Sequence, residues 1–139
     1  MTASPEHDLI VSLVARVIRQ RGFELVALES SLGWLFGENF RLPPAITVHR
    51  PDILGVRREP PYLCIGEAKT RGDLHTTRTS RQLVDFSQAS VGNTGSLCEV
   101  VVGVPADCET ILHNIIRALG IPQCRVVVLP IPRPLLAKQ

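Results

Sequence analysis

The chain has 139 residues, of which 45% are hydrophobic and 20% are charged. This length and this apolar fraction are typical of one globular domain, so we expect residues 1–139 to form a single domain. No apolar run approaches the ~20 residues of a transmembrane helix and no signal-peptide pattern is present, which argues against a membrane partner and predicts a soluble, cytoplasmic protein. The net charge of +2 is small, so contact with nucleic acid would require local clusters of basic residues.

The first helix and the first strand are predicted from their boundary signals. Ser4-Pro5-Glu6 has the order of an N-cap, a proline at the first helical position and an acid in the first turn. Apolar residues then recur at helical spacing as far as a stop at Gly22. The apolar run Phe23–Leu28 is typical of a strand.

The segment 30–44 is rich in glycine, asparagine and proline, which predicts a loop or an irregular hairpin. It also contains Trp34 and Phe36. These two aromatic residues form either a surface for a partner or a small satellite core, and general burial statistics favour the core.

Two apolar segments in the middle of the chain predict a β-hairpin. They are Ile53–Val56 and Tyr62–Ile65, and the residues between them, 57–61, end in two prolines that cannot continue a central ladder. Beyond the hairpin, Thr79 and Gln82 resemble a capping box. We therefore predict a second helix with a partly apolar face that includes Val91 and ends near Gly92.

The last third of the chain predicts two more strands with a helix between them. Val100–Val104 is β-branched almost throughout, as expected for a strand covered on both faces. Asp107 is then expected to cap a helix that ends at Gly120. A last strand is predicted over 125–129, followed by a proline-rich tail from Pro130 that runs extended over the surface. The order of elements predicts an α/β fold in which helices flank a mixed central sheet.

Cysteine and basic residues suggest little on their own. The cysteines are far apart and lack zinc-site spacing, so we expect reduced thiols packed as small hydrophobic residues.

The basic residues cluster in the middle third of the chain, where they indicate either a nucleic-acid surface or a solvated face. These clusters comprise Arg50, Arg57, Arg58, Lys69, Arg71, Arg78 and Arg81.

Three charged residues at the ends of the hairpin strands form the candidate site. Asp52 opens the first strand, and Glu67 and Lys69 close the second, so the hairpin should bring Asp52 beside Glu67. Residues i and i+2 of a strand face the same side, so Glu67 and Lys69 should project together. A surface salt bridge is the alternative interpretation, and such pairs contribute little to stability.

The two carboxylates suit a hard cation such as Mg²⁺ or Mn²⁺, which proteins hold through acidic side chains, water and phosphate oxygens. A cation of this kind polarises a phosphodiester and activates water, while a nearby ammonium stabilises charge on the phosphate or positions the water. Asp52 and Glu67 are thus candidate metal ligands, and Lys69 is a candidate catalytic residue.

Pro51-Asp52 followed by Glu67-Ala68-Lys69 resembles the motif of the PD-(D/E)xK nuclease superfamily. The resemblance covers roughly residues 5 to 105, by motif and element order together. It implies a restriction endonuclease-like αβββαβ core and metal-dependent hydrolysis of DNA.

The resemblance also suggests two further site residues. Members often carry a glutamate on the first helix that completes the metal shell, and Glu6 is the matching candidate, although it is equally suited to interact with the helix dipole. Some branches have a glutamine followed four residues later by an aromatic residue, as in Gln82 and Phe86. Gln82 is therefore either a residue that orients water or phosphate, or a capping residue.

Three further polar residues near the motif have simpler interpretations. We interpret His49 as a hydrogen-bonding residue rather than a metal ligand. Asp73 is interpreted as a turn acid and Asp85 as solvated helix surface.

The chain is similar in size to small archaeal Holliday-junction resolvases and shares Gly22-Phe23 at the end of the first helix. The resemblance implies DNA as a partner and a nucleoid location if the source is prokaryotic. A chain of this length without a separate recognition domain would need a homodimer or a partner protein for sequence-specific targeting. The DNA substrate is left open, among junctions, flaps and duplex sites, and so is RNA. A DNA-binding or assembly subunit of a larger nuclease or mobile-element complex is the main alternative, and a regulatory protein is the third.

Overall fold

The structure is a computed structural model that describes residues 4–30, 33–37, 40–46 and 48–136. The helices in this part of the chain are α1 (Pro5–Gln20), α2 (Thr77–Gln88), α3 (Glu109–Ala118) and α4 (Arg133–Leu136). The strands are β1 (Glu24–Leu28), β2 (Ile53–Val56), β3 (Leu63–Ala68), β4 (Ser90–Val91), β5 (Ser96–Leu97), β6 (Glu99–Pro105) and β7 (Val126–Ile131).

Five strands form the central sheet, in the order β1-β2-β3-β6-β7. The pairs β1/β2 and β2/β3 are antiparallel, whereas β3/β6 and β6/β7 are parallel. The short strands β4 and β5 pair with each other in a separate hairpin. The predicted α/β class, a mixed sheet flanked by helices, is confirmed. In the described residues no helix is long and apolar enough to cross a membrane.

The sheet separates two apolar cores. On one face, the buried residues of α1 pack against alternate residues of the strands, and Leu136 of α4 joins this core. On the other face, α2 and α3 cover the remaining residues of the same strands through Leu83, Phe86, Leu112 and Ile116. Alternate strand residues therefore face different helices, so a polar residue at a strand end can be directed towards either side.

Helix α1 lies very close to the sheet because glycines stand beneath it. A Cβ atom on Gly103 of β6 would lie 2.4 Å from Cγ2 of Val14 and 2.9 Å from Cγ2 of Ile10. A Cβ on Gly66 of β3 would lie 2.7 Å from Cδ1 of Ile18. These distances are shorter than van der Waals contact, so the absence of a side chain sets how near the helix can approach.

Gly103→Ala is therefore expected to lower the free energy of unfolding by about 2 kcal/mol, since overpacking forces α1 away from the sheet. Chemical denaturation followed by circular dichroism measures this difference. Gly72→Ala is the matched control, because a Cβ there would meet only the hydroxyl oxygen of Thr70, at 4.0 Å. Equal losses in the two variants would contradict the close approach of α1.

The predicted boundaries of α1 are confirmed. The Ser4 hydroxyl accepts a hydrogen bond from the backbone N–H of His7, and Pro5 begins the helix. Gly22 has a φ of 95°, which a residue with a side chain rarely adopts. The next residue, Phe23, is buried in the α1-side core.

The predicted boundaries of α2 are wrong at both ends. The N-cap is Thr76, whose hydroxyl accepts from the N–H of Thr79. The Thr79 hydroxyl donates instead to the carbonyl of Asp73. The helix ends at Gln88, because the backbone of Val91 pairs in the β4–β5 hairpin.

The C-terminal third differs from prediction in two places. Asp107 does not cap α3: a 3₁₀ turn, Ala106–Cys108, precedes the helix, and Cys108 is the capping position. The tail is not simply extended, because β7 continues to Ile131 and is followed by α4, where burial of Ile131 and Leu136 holds the chain on the sheet. Gly120 ends α3 with a φ of 73°, as expected.

The satellite-core interpretation of the loop aromatics is wrong for Trp34, which is 66% exposed. Phe36 is half-buried against the α1-side core and meets Phe40 edge-to-face at 6.5 Å. Cys64, Cys98 and Cys108 are buried free thiols, as expected, and burial raises the pKa of Cys64 to about 12. The core interpretation is wrong for Cys124, which is a free thiol but exposed.

Candidate active site

Asp52 and Glu67 lie side by side at one end of the β2–β3 hairpin. The register pairs Ile53 with Gly66, which sets Asp52, one residue before β2, next to Glu67 near the end of β3. The backbone N–H of Asp52 donates to Oε1 of Glu67 at 2.9 Å and to the carbonyl of Gly66 at 3.1 Å. The hairpin therefore places the two acidic residues side by side, as expected.

The carboxylate of Asp52 is held by both neighbouring layers. Its Oδ2 accepts from the N–H of Ala68 at 2.9 Å and lies 3.3 Å from Nε2 of His7 on α1. One contact comes from the adjacent strand and the other from a helix on the sheet face. This carboxylate is consequently fixed in orientation before any ligand binds.

Lys69 follows β3 and shares the side of the sheet on which Glu67 lies. Its Nζ is 3.2 Å from Oε2 of Glu67 and donates to Oε1 of Gln82 on α2. The backbone N–H of Lys69 donates to the carbonyl of Gly103 at 2.9 Å, which extends the pairing with β6. The alternation of the strand thus directs Glu67 and Lys69 towards α2, as predicted, while Ala68 faces the α1-side core.

These charged groups are removed from water. Asp52 is 9% exposed, Glu67 is 2% exposed and Lys69 is 6% exposed. Burial and the negative charge of Asp52 together raise the pKa of Glu67 to about 8, against the opposing effect of Lys69. The site thus contains an acidic pair whose mutual repulsion is only partly offset by the ammonium group.

A divalent cation fits this donor set. Within the described residues, no group of three or more histidine, cysteine, aspartate or glutamate side chains is arranged to hold a metal. Two carboxylates remain, Asp52 and Glu67, and Mg²⁺ is commonly held by one or two carboxylates with water and phosphate oxygens as its other ligands. The cation would also offset the like-charge repulsion that raises the pKa of Glu67.

His7, rather than Glu6, is the residue of α1 that contacts the acidic pair. In the part of the chain that the structure describes, Glu6 forms no hydrogen bond or ion pair with Asp52 or Glu67, and its charge acts on Arg133 instead. The Nδ1 atom of His7 is buried and has no hydrogen-bond partner among the described residues. His7 was not predicted as a site residue, although the N-cap at Ser4 places it in the first turn of α1.

His7→Gln is expected to destabilise the metal-free protein by about 1 kcal/mol, in acid only. The hydrogen bond to Asp52 raises the pKa of His7 above its ordinary value of 6.5. The resulting stabilisation is complete below pH 6.5 and disappears as the pH rises through the elevated pKa of the folded protein. Unfolding by urea in a chelator at about pH 5.5 and about pH 9 would measure it, and a pH-independent difference would contradict it. His75→Gln, at an exposed turn, is the control.

Gln82 lies inside α2, so the capping alternative for it is wrong. Its side chain is buried and its Oε1 accepts from the ammonium group of Lys69. One turn later, Phe86 is fully buried and meets the ring of His49 edge-on at 6.3 Å. The Gln82–Phe86 pair therefore connects the site to the core on the α2 side of the sheet.

His49 and Asp85 pair with each other beside the site. Nδ1 of His49 lies 3.1 Å from Oδ2 of Asp85, and the backbone N–H of His49 donates to the same oxygen at 3.2 Å. The interpretation of Asp85 as solvated surface is therefore wrong, whereas that of His49 as a hydrogen-bonding residue is confirmed. Asp73 accepts from the N–H and the hydroxyl of Thr70, as expected of a turn acid.

The basic residues do not form one surface. Arg57 and Arg58 follow β2, at the opposite end of the strand from Asp52. Arg57 donates to the carbonyls of Glu59, Pro60 and Pro61 and stacks on Phe23 at 4.4 Å. Arg57 thus stabilises the hairpin connection.

No protein-family model, curated protein or solved structure matches this chain. A functional interpretation therefore depends on the geometry of Asp52, Glu67 and Lys69 and on the chemistry of these groups. The buried cluster combines two carboxylates with the ammonium group of Lys69, which lies in direct contact with Glu67.

Proposed function

We propose that the chain is a metal-dependent endonuclease of the PD-(D/E)xK type, which hydrolyses phosphodiester bonds in DNA. The observation that carries the proposal is the burial of Asp52, Glu67 and Lys69 together at one end of the central sheet, where Glu67 accepts from the backbone N–H of Asp52 and pairs with the ammonium group of Lys69. The order of helices and strands and the mixed sheet support a restriction endonuclease-like αβββαβ core.

Burial argues against an ordinary salt bridge. Removing two carboxylates and an ammonium from water costs free energy that their mutual attraction does not fully return. A surface pair would avoid this cost by remaining solvated. Strongly perturbed carboxylates in such clusters are characteristic of functional sites, and Glu67 is perturbed in this way.

Each residue has a defined role in the proposed reaction. Asp52 and Glu67 would hold Mg²⁺ or Mn²⁺. When bound, the cation supplies Lewis acidity towards the phosphate and lowers the pKa of the attacking water. Lys69 stabilises negative charge on the phosphate and orients the water, and Gln82 positions the Lys69 ammonium through their hydrogen bond.

A DNA-binding or assembly subunit is the second candidate, and the exposed apolar residues favour it. Trp34 is 66% exposed and Leu35 is 53% exposed, in a segment next to β1. Exposed apolar groups of this kind occur at protein interfaces. Analytical ultracentrifugation would show whether the chain forms a homodimer or remains a monomer in solution.

The test of the nuclease is cleavage of a panel of labelled substrates: duplex, nicked, flapped, branched and single-stranded DNA, together with RNA. Cleavage of at least one DNA in Mg²⁺ or Mn²⁺, abolished by EDTA, is the expected result. Cleavage that persists in EDTA, or no cleavage of any substrate with either metal, would refute the proposal. The pattern of products would identify the substrate structure.

A further inference from the structure

Two arginines share one aspartate on the surface of the molecule. Oδ2 of Asp107 lies 3.1 Å from a terminal nitrogen of Arg71 and 2.8 Å from a terminal nitrogen of Arg133. A second nitrogen of Arg133, Nε, also donates to this oxygen, at 3.1 Å. We name Arg71, Asp107 and Arg133 the arginine cluster. Its net charge is +1, because one carboxylate faces two guanidinium groups.

The sheet topology places the arginine cluster at the edge that carries the candidate active site. Arg71 follows β3, Asp107 follows β6 and Arg133 follows β7, and these three strands are parallel neighbours. Their carboxyl ends therefore meet at one edge of the sheet. Lys69 stands at the end of β3, two residues before Arg71.

The spacing of this edge matches a nucleic-acid strand. Neighbouring strands of a sheet lie about 4.8 Å apart, so the ends of β3 and β7 are separated by about 10 Å across β6. Successive phosphates of one DNA strand advance by about 3.4 Å along the helix axis. Successive phosphates are at least this far apart, so a strand with one phosphate at Lys69 would place another, at most about three nucleotides away, near the arginine cluster.

Structural stabilisation does not explain the cluster. The side chains of Arg71 and Arg133 are each 55% exposed and that of Asp107 is 43% exposed, and ion pairs at this level of exposure contribute little to folding. Each guanidinium has five N–H donors, and one carboxylate oxygen cannot occupy them all. Donors on both arginines thus remain available to an anion outside the protein.

We propose that Arg71 and Arg133 bind the DNA backbone at a phosphate within about three nucleotides of the one that is cleaved, and that Asp107 holds both guanidiniums in place until the phosphate competes for them. The identity of the ligand as DNA rests on the proposed function. Arginine is suited to this contact because its planar donors match phosphate oxygens in pairs. Asp107 then reduces affinity, since its carboxylate repels the phosphate.

Binding of a labelled DNA duplex, measured by fluorescence anisotropy at several salt concentrations in EDTA, tests the proposal. Arg71→Gln and Arg133→Gln are each expected to weaken binding about tenfold at low salt. Each should also reduce the slope of log affinity against log salt by about 0.9. Asp107→Asn should tighten binding about threefold or more, because it removes a like charge. Arg58→Gln, at the opposite end of the sheet, is the matched control and should bind like the parent.

The opposite results would overturn the inference. If the arginine cluster is only structural, Asp107→Asn will lower the melting temperature without tightening binding, and the arginine variants will bind like Arg58→Gln. If these variants cleave DNA and bind it like the parent, the proposed nuclease activity is retained and only the proposed phosphate contact is refuted. If DNA binding depends on Arg71 and Arg133 but the protein cleaves no substrate, the proposed nuclease activity is refuted and the proposed phosphate contact is retained.

Discussion

Replacing Lys69 with methionine is expected to lower the rate of DNA cleavage by about 100- to 1,000-fold, as is usual when a charge-stabilising group is removed. The methionine side chain fills similar space but carries no ammonium group to place against the phosphate or the water. Gln82 and Glu67 would lose their shared donor. The loss should appear in the single-turnover rate constant at saturating protein, which separates chemistry from binding.

Two controls show whether the loss reflects chemistry. Arg58→Met removes a positive charge at the far end of the sheet and should cleave at the parent rate. Asp52→Asn should lose cleavage to a similar extent and should also lose Mn²⁺ binding, as followed by electron paramagnetic resonance. Retention of more than about a tenth of the parent rate in Lys69→Met would contradict the role assigned to Lys69.

Replacing Glu67 with glutamine is expected to stabilise the metal-free protein by about 2–3 kcal/mol at neutral pH. Burial and the charge of Asp52 raise the pKa of Glu67 from 4.5 to about 8, so ionisation favours the unfolded chain over this range. The wild type thus loses stability relative to the glutamine variant as the pH rises from 4.5 to about 8, and the difference is constant above it. Glutamine keeps an oxygen to accept from the N–H of Asp52.

Urea unfolding in EDTA across this pH range measures the effect. Glu59→Gln, exposed beyond the far end of β2, is the matched control and should show no such pH dependence. Adding Mn²⁺ should raise the melting temperature of the wild type but have little effect on Glu67→Gln, because the cation binds only the folded protein through the acidic pair. A Glu67→Gln variant that is less stable than the wild type at neutral pH would show that the contact with Lys69 outweighs the cost of burial.

Local sequence patterns were enough to predict the features that depend on neighbouring residues. Apolar periodicity and local caps located α1 and the strands of the sheet, because the period of 3.6 or 2 reports which face is buried. The meeting of Asp52 and Glu67 follows from a short hairpin. The shared direction of Glu67 and Lys69 follows from the alternation of a strand. These relations act over few residues, so they can be derived without knowledge of the rest of the fold.

The residues that contact Asp52, Glu67 and Lys69 from other elements could be identified only from the packed fold. His7 reaches Asp52 because glycines beneath α1 let the helix lie close to the sheet, and Gln82 reaches Lys69 because α2 covers the other face. Asp107 does not cap α3 as predicted and instead pairs with Arg71 and Arg133, which follow two other strands. Contacts between residues distant in sequence depend on how layers pack and which strands are neighbours, and neither is encoded in the pattern of a single segment.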